Sequence, residues 1–415
     1  MKTPCRSKFI ASTLLLFAAK SLCAAEQGSR LPQEVAERAK PFLHEISQAL
    51  VAQDPAAARA AATKATSALG PWAGKPETDT RYYPPVDTTP FDGAAVRDTW
   101  LKELEHGQRN FPWTKNPDGN PRVMTAGLRE AAFPLDALAR SATFFPEHRA
   151  KITQQVREGA NWLLKLQHPS GVFPFPVGPG LKPRGKVGTI VAQMIKEHPE
   201  LVENDWIVHD SNEGGLQFDN SLCGRALLSA WELTQDDRYL TAARKSGDWA
   251  MKHPLVLNWN YNAFSVGLLA RLARATGEAA YLDAALKKAE AGVLPGQMAG
   301  GRWFDPHNAC AVYHNILLRD LLELAHALPS GHPYQPTLLD ALTRGLNQAA
   351  DETLKNGYTG TWTDNFAQGL QWLGENKKWR DALNVNINAS GKGSAPSLGV
   401  AAVAVLEGLP PRAQH

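Results

Sequence analysis

Thr234-Gln235-Asp236-Asp237-Arg238-Tyr239-Leu240-Thr241-Ala242-Ala243 is followed 42 residues later by Thr276-Gly277-Glu278-Ala279-Ala280-Tyr281-Leu282-Asp283-Ala284-Ala285. Thr234, Tyr239, Leu240, Ala242 and Ala243 recur as Thr276, Tyr281, Leu282, Ala284 and Ala285. Asn220 and Asn262 keep the same interval, as do Leu227 and Leu269. Chance similarity between helices follows composition and has no fixed offset. A period of this size therefore marks a repeated supersecondary unit.

Each unit reads as two helices. Residues 221–234 carry an apolar stripe of Leu222, Ala226, Leu227, Ala230 and Leu233, and 237–252 carry another of Tyr239, Leu240, Ala243, Trp249 and Ala250. The same pattern pairs 263–275 with 278–291, 309–327 with 336–354, and 125–141 with 147–167. A degraded last pair falls at 366–379 and 397–409, and 32–50 with 55–69 supplies another upstream. Strand-like alternation is confined to 171–177 and 358–362, each long enough for one small hairpin.

The connections carry the polar chemistry. They read Trp206-Ile207-Val208-His209-Asp210, Asn258-Trp259-Asn260-Tyr261-Asn262, Arg302-Trp303-Phe304-Asp305-Pro306-His307-Asn308 and Trp362-Thr363-Asp364-Asn365. One end of each unit thus brings Trp or Tyr beside Asp, Asn or His. Hairpins closed into a ring crowd such connections around one mouth, whereas an open solenoid spreads them along an edge. The expected fold is all-α, with five or six helical hairpins closed into a barrel over 121–410, preceded by N-terminal helices and a wrapping arm over 26–120.

Composition sets the class. The 415 residues are 43% hydrophobic and 20% charged, which excludes a disordered chain. Met1 to Ala25 reads as a secretory signal: Lys2, Arg6 and Lys8 precede the mostly apolar run Phe9 to Ala19, and Cys23-Ala24-Ala25 supplies small residues for cleavage. Without that segment the 44 basic side chains fall to 40 against 41 acidic, so a net charge of −1 replaces +3. No bulk attraction to nucleic acid or an anionic membrane remains, and the expected location is periplasmic or secreted. Of the remaining cysteines, Cys223 and Cys310 are either a disulfide or two buried thiols. No cysteine pair has metal-ligand spacing and no cofactor is demanded. The oligomeric state is not legible.

Trp162-Leu163-Leu164-Lys165-Leu166-Gln167-His168-Pro169-Ser170-Gly171-Val172-Phe173-Pro174 resembles the helix followed by Q-x-P-x-G-x-aromatic-P of the (α/α) toroid carbohydrate-active enzymes. Phe218-Asp219-Asn220, opening a helix that leads to Thr234–Leu240, resembles the same group. The likeness spans about residues 120 to 380. It implies a toroid that acts on a polysaccharide or oligosaccharide as a glycoside hydrolase, a polysaccharide lyase or a related epimerase.

Three sets of side chains are candidates for that chemistry. Hydrolysis needs a protonated acid for the leaving oxygen and a second carboxylate acting on water or the anomeric carbon. Asp219 and Asp305 are the first candidates, then Asp210 and Asp364, with Glu213 nearby. Asp219 and Asp364 also suit helix N-caps. β-Elimination on a uronate needs a base, here Tyr313 or His314, with cations such as Arg225 and Arg302 to neutralise the carboxylate. Polar contacts to substrate fall to His209, Asn262 and His307. Flat aromatic faces for stacking on sugar rings are Trp113, Trp259, Tyr261, Trp303 and Trp362. Hydrolysis by a carboxylate pair is the leading expectation, with a lyase and a non-catalytic sugar-binding scaffold as alternatives. The Pro- and Gly-rich interruption 172–215 reads as a lid or a long surface connection.

Overall fold

The computed structural model describes residues 33–70, 86–107, 111–178, 186–210, 214–305, 308–357, 361–390 and 400–409. The segment Met1–Ala25 expected to be a secretory signal, Glu213 and His307 lie outside the described residues. Fifteen helices of eight residues or more are described: α1 Gln33–Val51, α2 Pro55–Leu69, α3 Gly93–Gly107, α4 Arg129–Ser141, α5 Arg149–Leu166, α6 Lys186–Glu197, α7 Leu216–Thr234, α8 Asp237–Lys252, α9 Trp259–Thr276, α10 Ala279–Gly292, α11 Ala311–Ala327, α12 Gln335–Asn356, α13 Thr363–Leu373, α14 Lys377–Ser390 and α15 Val400–Glu407.

Neighbouring contacts order α4, α7, α9, α11, α13 and α15 in sequence, and α15 returns to pack on α4. The inner ring is closed. Outside it, α5, α8, α10, α12 and α14 each pack on the inner helix that precedes them, and α3 packs on α15. The fold is an (α/α) toroid. Residues 93–107, expected in the wrapping arm, instead form the outer helix beside the last inner one. Upstream, α1 and α2 interlock through Val35, Ala39, Leu43 and Ile46 against Ala58, Ala62, Ala65 and Leu69, and α2 rests on α10.

The repeat in sequence is a repeat of hydrogen bonds. Asn220 Oδ1 accepts from Phe173 N–H at 3.1 Å while its Nδ2 donates to Ser246 O. Asn262 does the same work with Val256 N–H at 3.0 Å and Gly292 O. Each asparagine ties an incoming connection to an outer helix, satisfying backbone groups that burial would otherwise strand. Asn262 is therefore a fully buried fastener, and its expected substrate contact is withdrawn. The Gln167 hairpin also recurs, unrecognised in the sequence, at Gln297. Gln167 Nε2 donates to Gly171 O and Ala242 O, and Gln297 Nε2 to Gly301 O and Ala341 O. Gly171 and Gly301 sit at φ 95° and 94°, in the region glycine adopts without steric cost.

Two departures from the expected elements have local causes. The helix expected over 366–379 stops at Leu373, because Gly374 turns at φ 108°. The stretch 171–177 forms no hairpin of its own. Its strand β1 Phe175–Pro176 pairs antiparallel with β3 Trp206–Ile207, which also pairs with β2 Val202–Glu203. The interruption thus folds as a small sheet with α6. Cys223 is a free, buried thiol whose pKa burial pushes up, so a Cys223–Cys310 bridge is not formed. Among the described residues no helix is long and apolar enough to cross a membrane.

The inner helices are not apolar throughout. Arg140 of α4 donates to Glu407 of α15 at 2.9 and 2.7 Å and pairs with Asp136. Asp136 accepts from Arg271 at 3.0 Å and from Ser229. Arg225 pairs with Asp320 and Glu323, and Arg274 reaches Glu323 at 3.2 Å. Burial raises the Glu323 carboxyl, but Arg225, Arg271, Arg274 and Arg140 outweigh it and hold the group at about 2, below the ordinary 4.5. A depressed carboxylate contributes stability that is complete above its unfolded pKa and lost as pH falls toward the folded one. The interval is on the order of 3 kcal/mol. Urea midpoints should therefore fall steeply between pH 5 and about pH 2. Glu323→Gln should be less stable at pH 7, yet lose less on acidification. An equal acid loss in both proteins would contradict this account.

Candidate functional site

Inner helices all enter the barrel from one end, so their first turns share a mouth. Arg129 opens α4, Phe218 and Asp219 lie in the first turn of α7, Tyr261 in that of α9, Tyr313 in that of α11 and Asp364 in that of α13. Neither aspartate is the N-cap: those positions are Gly215 and Trp362, and neither makes a side-chain capping bond. Trp362 holds φ 64°, a left-handed conformation costly for a bulky residue, at the turn that leads into Asp364.

Asp219 is fully buried and bonded to Arg129. It accepts from the Arg129 backbone N–H at 3.0 Å and Nε at 3.2 Å, and from Nη2. Gly127 makes room for this. A Cβ there would stand 2.2 Å from Asp219 Oδ1. The Arg129 guanidinium lies 3.7 Å from the Phe218 ring centroid, Phe218 stacks on Phe264 at 4.1 Å, and the Arg319 guanidinium lies 5.4 Å from the Phe264 centroid. Stacked cation–ring contacts of this kind are favourable where water is excluded. Arg319 is itself hydrogen-bonded to Asp320 at 3.3 and 3.1 Å and lies within electrostatic reach of Asp364. Burial raises the Asp364 carboxyl above its ordinary range, and Arg319 and nearby backbone N–H groups only partly oppose it. One row of contacts thus links α4, α7, α9 and α11, with the Asp219 carboxylate bonded at its first end. Asp219 and Asp364 stand on helices three places apart in a ring of six.

The other expected residues are placed elsewhere. Asp305 is buried and binds its own connection, accepting from Asn308 N–H at 2.9 Å. Asp210 meets His253 at 3.0 Å and fastens the interruption to the end of α8. His209 is an exposed side chain beside Glu203. His314 is fully buried against Trp303, Trp362 and Gly301 O. Burial and the nearby Arg302 pull its pKa well down, so it is a neutral wall residue, withdrawn from the role of base at the mouth. Arg302 is fully buried with Glu352 of α12 and lies over Trp362. Arg225 is committed to Asp320 and Glu323 at mid-depth. These two arginines cannot meet a substrate carboxylate.

The tryptophans seal walls. Trp303 donates to Val293 O at 2.7 Å, Trp259 packs edge-on to Phe304, and Trp113 stacks on Phe111. Together with Trp362 all four are buried. A flat aromatic face in a loop satisfies either role, and only packing partners decide between them. Tyr261 and Tyr313 remain half-buried at the mouth. Sequence reading missed Arg129, Phe264 and Arg319. The available signal was charge inside an apolar helix, as in Leu317-Leu318-Arg319-Asp320-Leu321-Leu322.

No protein-family model matches the chain, and no curated relative matches it. Among solved structures it is similar to glycan-cleaving enzymes. An unsaturated glucuronyl hydrolase from Streptococcus agalactiae superposes with a TM-score of 0.48 and 10% identity, over 80% of this chain and 95% of that one. A polysaccharide lyase gives 0.47 and 13%, over 76% and 96%. A glycosyl hydrolase of family 88 from Bacteroides vulgatus gives 0.42 and 10%, over 75% and 100%. At this distance the toroid rests on the closed ring itself.

Gly127→Ala tests how Asp219 is held. The added methyl must displace either the carboxylate or Phe175, whose ring would be 2.9 Å away. The variant should lose about 1–3 kcal/mol of unfolding free energy. Thermal unfolding identical to wild type would contradict the packing.

Proposed function

We propose that the barrel mouth is the active site of a glycan-cleaving enzyme, acting by hydrolysis on a polysaccharide or oligosaccharide. The observation that carries the reading is that Asp219 and Asp364 are both buried in first turns of inner helices three places apart in the ring, Asp219 bonded to Arg129 and Asp364 raised by burial. Asp364, whose carboxyl burial pushes above its ordinary range, is the candidate to supply the proton that the leaving oxygen takes up when the glycosidic bond breaks. We assign Asp219, buried and paired with Arg129, as the second carboxylate, acting on the attacking water or on the positive charge that develops at the anomeric carbon. Half-buried Tyr261 and Tyr313 are the candidate ring faces for a sugar.

A second reading has its own support. Arg129 is partly exposed at the mouth and lies within electrostatic reach of Tyr261. An arginine that neutralises a uronate carboxylate beside a tyrosine base is what β-elimination requires. Tyr313 is the alternative base.

Purified protein screened against neutral and acidic polysaccharides separates these readings. Hydrolysis produces reducing ends without new near-ultraviolet absorbance, whereas elimination produces both. Asp364→Asn should reduce turnover at least about a hundredfold, and Asp219→Asn should also be impaired, with both variants folded. Full activity in both variants would remove the hydrolase reading. Loss in Tyr261→Phe or Tyr313→Phe together with new absorbance would establish the lyase instead.

We also propose that the protein is exported, on the basic, apolar and small-residue order of Met1 to Ala25. Mass spectrometry of the protein from its native cells should find a mature N-terminus near Glu26. An intact Met1 terminus in the cytoplasm would contradict export.

A further inference from the structure

Gln368 of α13 is fully buried, and among the described residues no group bonds to either its Oε1 or its Nε2. Burying an amide without partners costs about 1–3 kcal/mol. Methionine, of similar length and volume, would fill the position without that cost. Buried polar groups in folded proteins are otherwise satisfied, so a side chain held this way is suited to a ligand.

Its surroundings say which ligand. Gln368 stands four residues beyond Asp364, on the same side of α13. Across the α11–α13 contact, Asn315 precedes Arg319 by four residues on α11. The helices are tied where Asn365 Nδ2 donates to Asn315 O at 3.2 Å. Asn315 Oδ1 and Asn365 Oδ1 are also buried without a bond. Three unbonded acceptor oxygens and one unbonded amide donor therefore lie on the packed helices α11 and α13, within about one turn of Asp364 or of the Asn365–Asn315 bond. Carboxylate or phosphate would face those oxygens with like charge. A cation would sit beside Arg319 and leave the amide N–H unused. A hydroxyl oxygen suits the set, since it donates and accepts at once.

We infer that Gln368, Asn315 and Asn365 form a hydroxyl-binding subsite beneath Asp364. The hydroxyl belongs either to water or to a glycan. Its link to turnover rests on the proposed function above; the subsite itself rests on burial and donor–acceptor balance.

A crystal structure of the wild-type protein at about 1.5 Å resolution, without added ligand, reads the site directly. The expected result is an ordered oxygen about 2.7–3.2 Å from both the Gln368 amide and Asn315 Oδ1. A dry contact, with the Gln368 amide bonded to protein groups, overturns the inference. Kinetics on the glycan cleaved by wild type then identify the occupant. In Gln368→Met, at least a tenfold fall in kcat with unchanged KM indicates water, and at least a tenfold rise in KM indicates a sugar hydroxyl. Unchanged kcat and KM in this variant, alongside an inactive Asp364→Asn, also overturn the subsite. Full activity of Asp364→Asn would instead remove the underlying site reading, and the ordered oxygen would still decide the subsite.

Discussion

Arg140 and Glu407 lie 267 residues apart in sequence and meet through two hydrogen bonds across the seam of the barrel. Every other neighbour in the inner ring is brought together by a connection in the chain. This seam has none, since α4 begins the ring and α15 ends it. A buried guanidinium without its carboxylate is expensive, so the pair is strongly specifying even where its net contribution to stability is modest. The neighbouring charges repeat the device. Asp136, Arg271, Arg225, Asp320 and Glu323 join α4, α7, α9 and α11 inside the barrel, where an apolar core would permit helices to slide or rotate past one another.

Closure has a consequence at the other end. Inner helices fixed in rotation present the same face of each first turn to a common space. Arg129 then stacks on Phe218 and Phe218 on Phe264, one turn deeper in α9, and Asp219 and Asp364 come from opposite walls. Their surroundings differ in kind: Asp219 is bonded to a cation, while Asp364 is buried with Arg319 only partly offsetting the burial. Two carboxyl groups made unlike by environment are the prerequisite of acid–base work on a glycosidic bond.

The architecture was legible from the 42-residue repeat, because Asn220 and Asn262 are spaced by the fastening bonds they make. Helix α3 was not, since Pro- and Asp-rich sequence surrounds it and its partner α15 lies at the far end of the chain. Of the proposed site, Asp219 was expected as an acid opening a helix and Asp364 as one in a recurring connection. Arg225 and Arg302 were misread for one physical reason. A sequence displays a charge but not the carboxylate, 95 or 50 residues away, that neutralises it. The tryptophans failed similarly, because sealing a wall and stacking on a sugar make the same demand on composition. Arg319 carried a local signal, a charge inside the apolar run Leu317–Leu322, whereas nothing local distinguishes Arg129 from a surface arginine.

Closure of the ring is measurable through the pair at its seam. A double-mutant cycle on Arg140→Ala and Glu407→Ala, read by urea unfolding at pH 7, isolates their coupling from the cost of each truncation. A closed barrel requires coupling of about 1–3 kcal/mol. Additive effects, with coupling near zero, would mean that α4 and α15 do not meet and that the shared mouth does not exist.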